Sequence, residues 1–290
     1  MSNIFQSAGK YFSLVKFSHT VFAMPFALIG FFLAVSEDEY SFTLKLFLLV
    51  ILCMIFARNA AMGFNRVADR KIDALNPRTK NREIPAGSIR YEAAVFFVVI
   101  NALLFITATA FINRLTLLLS PVALLVVLGY SYTKRFTSLS HFILGIGLSL
   151  APIGAYISVT GEFRLLPLIY SFIVITWVGG FDIIYSLQDE EFDKSNSLFS
   201  IPSATGVEKA ITISVIVHII SVFLVACAGI LNHSGLLYWI GAAIFSILLL
   251  YQHIIVKPND LSRVNLAFAT TNGIASIVFA LFTITDLYFV

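Results

Sequence analysis

The sequence predicts an all-α integral membrane protein, nine transmembrane helices in a single bundle with a polar chamber at its cytoplasmic end. Three observations lead there. Of 290 residues, 59% are hydrophobic and only 12% charged, and the mean hydropathy of +0.91 lies far from that of an ordinary soluble domain. Apolar stretches of about 20 residues, enough to cross a hydrocarbon core of roughly 30 Å, recur along the whole chain. The basic residues, finally, are concentrated in alternate connections between those stretches.

The nine spans fall near residues 14–35, 42–64, 91–112, 115–133, 140–159, 165–187, 208–231, 234–256 and 264–286. The first is followed by Glu37, Asp38 and Glu39 instead of a small-residue cleavage site, so it reads as a span and not as a secretory signal. The second and sixth lead into long polar connections, roughly 65–90 and 187–207, whereas the connections on the opposite face are short. With the N-terminus and every second connection on one face, that face collects Lys10, Lys16, Arg58, Arg66, Arg70, Lys71, Arg78, Lys80, Arg82, Arg90, Lys134, Arg135, Lys194, Lys209, Lys257 and Arg263. Lys45, Arg114 and Arg164 remain opposite. Such asymmetry places the N-terminus and the long connections in the cytoplasm and the C-terminus outside.

Composition also excludes several classes. A net charge of +3, carried between spans, is a topological signal and points to no nucleic-acid partner. Cys53 and Cys227 lie within apolar stretches without a CxxC motif, so neither a disulfide framework nor a zinc site is expected. There is no Walker-type glycine-rich phosphate loop. No protein partner is evident; the partner the composition does demand is the lipid bilayer.

Chemistry is expected in the two long connections. In the first, Asn65, Asp69 and Asp73 follow at i, i+4 spacing and share one face of a helix. Two carboxylates so placed repel each other by a few tenths of a kcal/mol on an exposed helix, and by more where water is scarce. A bound cation relieves that repulsion. The second connection repeats the device 120 positions later, with Asp182, Tyr185, Asp189 and Asp193 on one predicted helical stripe. The recurrence suggests a parallel repeat of four spans, completed by a ninth. Asp182 lies deepest, still within apolar sequence, where an ionisable residue is a functional candidate with a metal or basic partner.

Oxygen ligands without a nearby His or Cys favour Mg²⁺, which binds through a few carboxylates and keeps other positions for water and phosphate. Arg66, Arg78, Arg82, Lys134 and Arg135 share that face and suit the charge of a diphosphate. A lone DxxxD is ordinarily a solvated helical turn, but two copies at matched positions on one face make that reading improbable. For the basic residues, topology alone is a sufficient explanation. His19, His141, His218, His233 and His253 lack ligand spacing and read as packing residues. The 28 phenylalanines are mostly core and lipid-facing material, some of which suits a chain-binding trench.

Taken in order, the motifs Asn65xxxAsp69xxxAsp73, Arg78-Thr79, Arg82xxPro85xGly87, Tyr130-Ser-Tyr-Thr-Lys134-Arg135 and Asp182xxTyr185xxxAsp189xxxAsp193 resemble those of the UbiA family of intramembrane prenyltransferases. The likeness runs from Lys16 and Pro25 to the second aspartate segment. It implies one transmembrane prenyltransferase domain over residues 1–290, in a bacterial cytoplasmic (inner) membrane, with its active site on the cytoplasmic side. It implies Mg²⁺ held by Asn65, Asp69, Asp73, Asp189 and Asp193, a polyprenyl diphosphate supported by Arg78, Arg82 and Lys134, and Lys16 or Arg58 facing an aromatic acceptor or the diphosphate. Asp182, Tyr130 and Tyr185 would shape the cavity around the reacting carbon. The implied reaction joins the prenyl chain to 4-hydroxybenzoate or a related hydroxynaphthoate in ubiquinone or menaquinone synthesis. Arg66 departs from many hydroxybenzoate enzymes, which carry Asp there. The alternatives are a prenyltransferase with a non-quinone acceptor and, from the many spans and repeat, a secondary transporter.

Overall fold

A computed structural model describes residues 9–11, 13–15 and 22–289, nearly all helical and without strands among the described residues. An isolated bridge between Lys257 and Asp260 is confined to one loop. The helices are α1 (Met24–Val35), α2 (Leu44–Leu75), α3 (Tyr91–Ala110), α4 (Arg114–Thr133), α5 (Ser140–Thr160) and α6 (Leu165–Ser186). The short α7 (Glu190–Ser195) and α8 (Ile201–Thr205) follow, then α9 (Val207–Leu231), α10 (Leu236–Ile255) and α11 (Asn272–Asp286), the last entered through a π-helical turn at Leu266–Thr271. Among the described residues eight helical segments are long and apolar enough to cross a membrane, and α1 is a shorter apolar helix.

Two boundaries differ from the sequence reading. The helix of the first span covers 12 described residues rather than 14–35. It is apolar around its whole circumference, as a helix surrounded by other helices must be. One side packs Phe26, Ile29 and Leu33 with Tyr156, Tyr170, Trp177 and Phe279; the other sets Ala27 and Phe31 against Val50, Ala151 and Ala155. The approach to α5 is so close that a Cβ on Gly30 would sit 2.0 Å from the Pro152 carbonyl oxygen. At the second boundary, α2 does not end at residue 64 but continues to Leu75, 32 residues in all and about 48 Å at 1.5 Å per residue. The first aspartate segment is therefore the helical end of a span, and the connection proper begins at Asn76.

The expected continuous stripe of the second segment is also modified. A 3₁₀ turn at Leu187–Asp189 separates α6 from α7, so Asp182 and Tyr185 stand on one helix and Asp193 on the next. Both aspartate segments lie at the C-terminal ends of long helices, as the repeat of spans predicts.

Around Asn272, buried polar side chains satisfy one another, as low dielectric favours. Asn272 Oδ1 accepts from Trp177 Nε1 and from Gln252 Nε2, both at 2.8 Å. Its Nδ2 donates to the carbonyl of Ala267, within the π-helical turn, at 3.0 Å. Around the outside, leucines, isoleucines and phenylalanines such as Leu125, Phe223 and Leu281 are exposed, an apolar surface that only lipid would cover.

Candidate active site

The C-terminal ends of α2 and α6 converge, with the α4–α5 connection and the 198–200 loop, on a polar cavity of about 280 Å³. Asn65, Asp69, Asp73, Arg78, Arg82, Tyr130, Lys134, Asp182, Tyr185, Asp189 and Asp193 all line it, together with Arg58. Of the expected site residues only Lys16 is absent, because it lies outside the described residues.

Helical spacing sets Asn65, Asp69 and Asp73 along α2, and Asp69, Asp73 and Asp189 each meet a cation from elsewhere. Asp69, 1% exposed, accepts from Asn65 Nδ2 at 3.1 Å, one turn back on α2. It also meets Lys134 Nζ at 2.7 Å and Arg135 Nη2 at 3.2 Å, both from the end of α4. Asp73 takes Arg82 Nη1 at 2.7 Å on Oδ1, while its Oδ2 is buried with no hydrogen-bond partner. Asp189 is held by Arg78 through Nε at 2.9 Å and through Nη2, and by Asn76 Nδ2 at 3.0 Å. Arg78 Nη1 donates in turn to the Tyr185 hydroxyl at 2.6 Å. Burial works against the Arg78 cation, yet its bonds to Asp189 and Tyr185 outweigh that and hold its pKa above the ordinary arginine value. The two aspartate segments are thus bridged by the 76–82 turn, since Asn76, Arg78 and Arg82 reach both.

The cations are partly open to solvent, with Arg78, Lys134 and Arg135 side chains 30%, 32% and 37% exposed, whereas the Asp69 and Asp73 side chains are 2% and 4% exposed. The buried carboxylates could release these cations to a phosphate only if another cation took their place, which is the role Mg²⁺ would fill. Among the described residues no three His, Cys, Asp or Glu side chains form a ready-made metal cage. Two separated carboxylate pairs, with one buried oxygen unpartnered, fit Mg²⁺ that completes its shell with phosphate oxygens and water.

Three features of the site were not read from sequence. Asn76, in the Asn-Pro turn, joins the two segments by accepting from the Arg78 amide at 2.9 Å while donating to Asp189. His141, taken as packing, lines the cavity and lies 2.7 Å from Asp182 Oδ2. Arg66, expected with the cytoplasmic-face cations that suit a diphosphate, lines the cavity but is only 4% exposed; it reaches Asn65 Oδ1 at 3.3 Å, and its Nε is buried without a partner.

A second cavity of about 300 Å³ adjoins the first. Val50, Cys53, Met54, Ala123, Val127, Gly154 and Ile157 are among its walls, and it shares Arg58, Met62, Tyr130, Leu144 and Leu148 with the polar cavity. A charged chamber thus opens onto an apolar one between α2, α4 and α5.

The model of the UbiA prenyltransferase family matches residues 23–281. Over 92% of its length the chain is similar to a UbiA homologue from Aeropyrum pernix K1, whose apo structure it covers to 98% with 32% identity and a TM-score of 0.84. A UbiA homologue from Archaeoglobus fulgidus, solved with GPP and Mg²⁺, shares the fold at a TM-score of 0.71 and 20% identity, with 96% of this chain and 99% of that one covered. Among curated relatives, a 4-hydroxybenzoate octaprenyltransferase of Vesicomyosocius okutanii is 26% identical over 236 residues, 81% of this chain and 86% of the relative.

Proposed function

The chain belongs to the UbiA prenyltransferase family, and from that premise we propose that it transfers a polyprenyl group from its diphosphate to 4-hydroxybenzoate or a related hydroxynaphthoate for quinone synthesis. The observation that carries this reading is the junction of the two cavities. A diphosphate needs the cations and carboxylates of the first, a long hydrocarbon chain needs the apolar walls of the second, and Tyr130 stands on the boundary of both.

Asn65, Asp69 and Asp73 on one side and Asp189 and Asp193 on the other would hold Mg²⁺. Bound there, the metal supplies positive charge against that developing on the departing diphosphate. Arg78, Arg82 and Lys134 turn from their carboxylates to the phosphate oxygens. As the allylic C–O bond breaks, its electron pair leaves with the diphosphate; Tyr130 and Tyr185 would shape the cavity around the cation that remains, Tyr185 with its ring held between the Arg78 guanidinium and Phe268. The acceptor ring attacks through a carbon ortho to its hydroxyl. Arg66, a buried guanidinium without a carboxylate at hydrogen-bonding distance among the described residues, supplies what the acceptor's carboxylate requires. The curated relative named for 4-hydroxybenzoate supports an acceptor of this kind. The excess of basic residues in alternate connections supports a chamber on the cytoplasmic side, and the reading is of one domain, residues 1–290, in a bacterial inner membrane.

The test is mass spectrometry of products formed by purified enzyme in detergent with Mg²⁺, a long-chain prenyl diphosphate and either 4-hydroxybenzoate or 1,4-dihydroxy-6-naphthoate. A prenylated aromatic acid from one of the two is expected. No product from either, in protein that still binds the prenyl diphosphate, refutes the assignment of the acceptor.

A further inference from the structure

Asp182 differs in its partner from Asp69, Asp73 and Asp189. Asp69, Asp73 and Asp189 each face a guanidinium or an ammonium group, whereas Asp182 Oδ2 meets an imidazole, His141 Nδ1, at 2.7 Å. The other ring nitrogen decides which way that bond runs. His141 Nε2 lies 3.2 Å from the backbone nitrogen of Ile201, and an amide N–H can only donate. Nε2 is therefore the accepting nitrogen, the proton sits on Nδ1, and Nδ1–H donates to Asp182. In this arrangement His141 is neutral and acts as a fixed donor.

The anchor at Nε2 is itself well built. Ile201 opens α8, whose N-cap Ser200 is held by a reciprocal pair of bonds with Ser203. The loop before it is tied to both halves of the site, since the Phe199 amide donates to the Lys134 carbonyl at 2.7 Å and the Leu198 amide to the Asp193 carbonyl at 2.9 Å. His141, 3% exposed, is thus clamped at both ring nitrogens, one on that loop and one on the only cavity-lining carboxylate of α6 proper. With Oδ2 engaged, Oδ1 is the oxygen left on a side chain that lines the cavity and is 21% exposed.

We infer that His141 is a positioning residue for prenyl transfer, fixing the rotamer of Asp182 so that its free oxygen accepts the proton lost from the acceptor ring. The inference rests on the reaction proposed above. After the ring carbon has supplied an electron pair to the new C–C bond, its C–H bond breaks, that pair restores the aromatic ring, and the proton passes to Asp182 Oδ1. Water in the open cavity takes the proton on when product leaves. A positioned base of this kind accounts for about 10²- to 10⁴-fold in rate, and loss of its positioning for a part of that.

The experiment compares unsubstituted enzyme with His141→Phe, His141→Asn and His141→Gln, using acceptor with and without deuterium at the reacting ring position. The Asn amide can replace the Nδ1–H donor, whereas the Gln amide reaches the Nε2 position and leaves Asp182 without one. His141→Phe and His141→Gln are expected to lower kcat about 10-fold or more with KM for both substrates nearly unchanged, and to reveal a primary isotope effect of about 2 or more that the unsubstituted enzyme lacks. His141→Asn is expected to regain most of the rate and to lose the isotope effect. Equal rates in Asn and Gln variants, or slow variants without an isotope effect, would overturn the inference, and this comparison stands even where the Phe variant fails to fold. Failure of the underlying reaction would show differently, as lack of product from the unsubstituted enzyme.

Discussion

Replacing Asp69 by Asn removes one negative charge and almost no volume. In the folded protein Asp69 accepts from Asn65, Lys134 and Arg135 at 3.1, 2.7 and 3.2 Å. The amide keeps one accepting oxygen but turns an N–H towards a donor at the other position, and both cations are near one-third exposure and can turn to water, so the cost in stability is about 1–3 kcal/mol. The cost in catalysis is larger. A unit charge acting over about 4 Å at an effective dielectric of 20 is worth about 4 kcal/mol, and at about 1.4 kcal/mol per decade that is close to 10³ in rate. Allowing for solvent in the open cavity, kcat/KM for the prenyl diphosphate should fall about 10²- to 10³-fold, and the Mg²⁺ concentration at half-maximal rate should rise. The assay is product formation across a Mg²⁺ titration. Asp286→Asn is the control: Asp286 is also a buried carboxylate, 3% exposed, but it accepts from the amides of Gly235 at 2.7 Å and Tyr238 at 3.1 Å at the start of α10. That cap is worth about 1 kcal/mol, so the variant should melt a few degrees lower with an unchanged Mg²⁺ curve. Wild-type kcat/KM and Mg²⁺ dependence in folded Asp69→Asn would refute the assignment of Asp69 to the metal and diphosphate.

Three further outcomes are expected. Arg66→Met should raise KM for a carboxylated acceptor about 10-fold or more while leaving KM for the prenyl diphosphate within about twofold, because a charged hydrogen bond is worth about 1.5–3 kcal/mol; the reverse pattern would place Arg66 on the diphosphate. At Gly154, where an added Cβ meets nothing within 4 Å, a Gly154→Leu side chain should fill part of the apolar cavity without loss of helix stability. Turnover of long-chain donors should then drop more than that of a five-carbon donor, and equal loss for both would show that the chain lies elsewhere. Gly30→Ala should lower the melting temperature measurably by forcing α1 away from the Pro152 carbonyl, and a melting curve identical to wild type would refute that contact.

The sequence reading went furthest where local periodicity decides the outcome. Spans of about 20 apolar residues and carboxylates at i, i+4 are properties of short windows; eight of the spans and the first aspartate segment follow them, while the second segment is broken by a 3₁₀ turn. It fell short where contacts join distant residues. Asn76 meets Asp189 across 113 positions and His141 meets Asp182 across 41, and no spacing rule links such pairs. The true end of α2 was hidden because hydropathy stops at the lipid boundary while the helix, built from good helix formers such as Arg66, Ala68, Arg70 and Lys71, runs on to Leu75. Asp182 was legible as unusual, since a carboxylate within apolar sequence demands a partner. Its partner proved to be a histidine that pattern alone had set aside.

The central claim is that the two aspartate segments act together to hold one Mg²⁺-bound prenyl diphosphate. Calorimetric titration of the purified protein with a prenyl thiolodiphosphate, which resists C–O cleavage, tests it without any acceptor present. Saturable binding with Mg²⁺ that is abolished by EDTA and weakened by Asp69→Asn and Asp189→Asn alike is the predicted result; binding that is indifferent to EDTA, or that depends on one segment and not the other, would contradict the account.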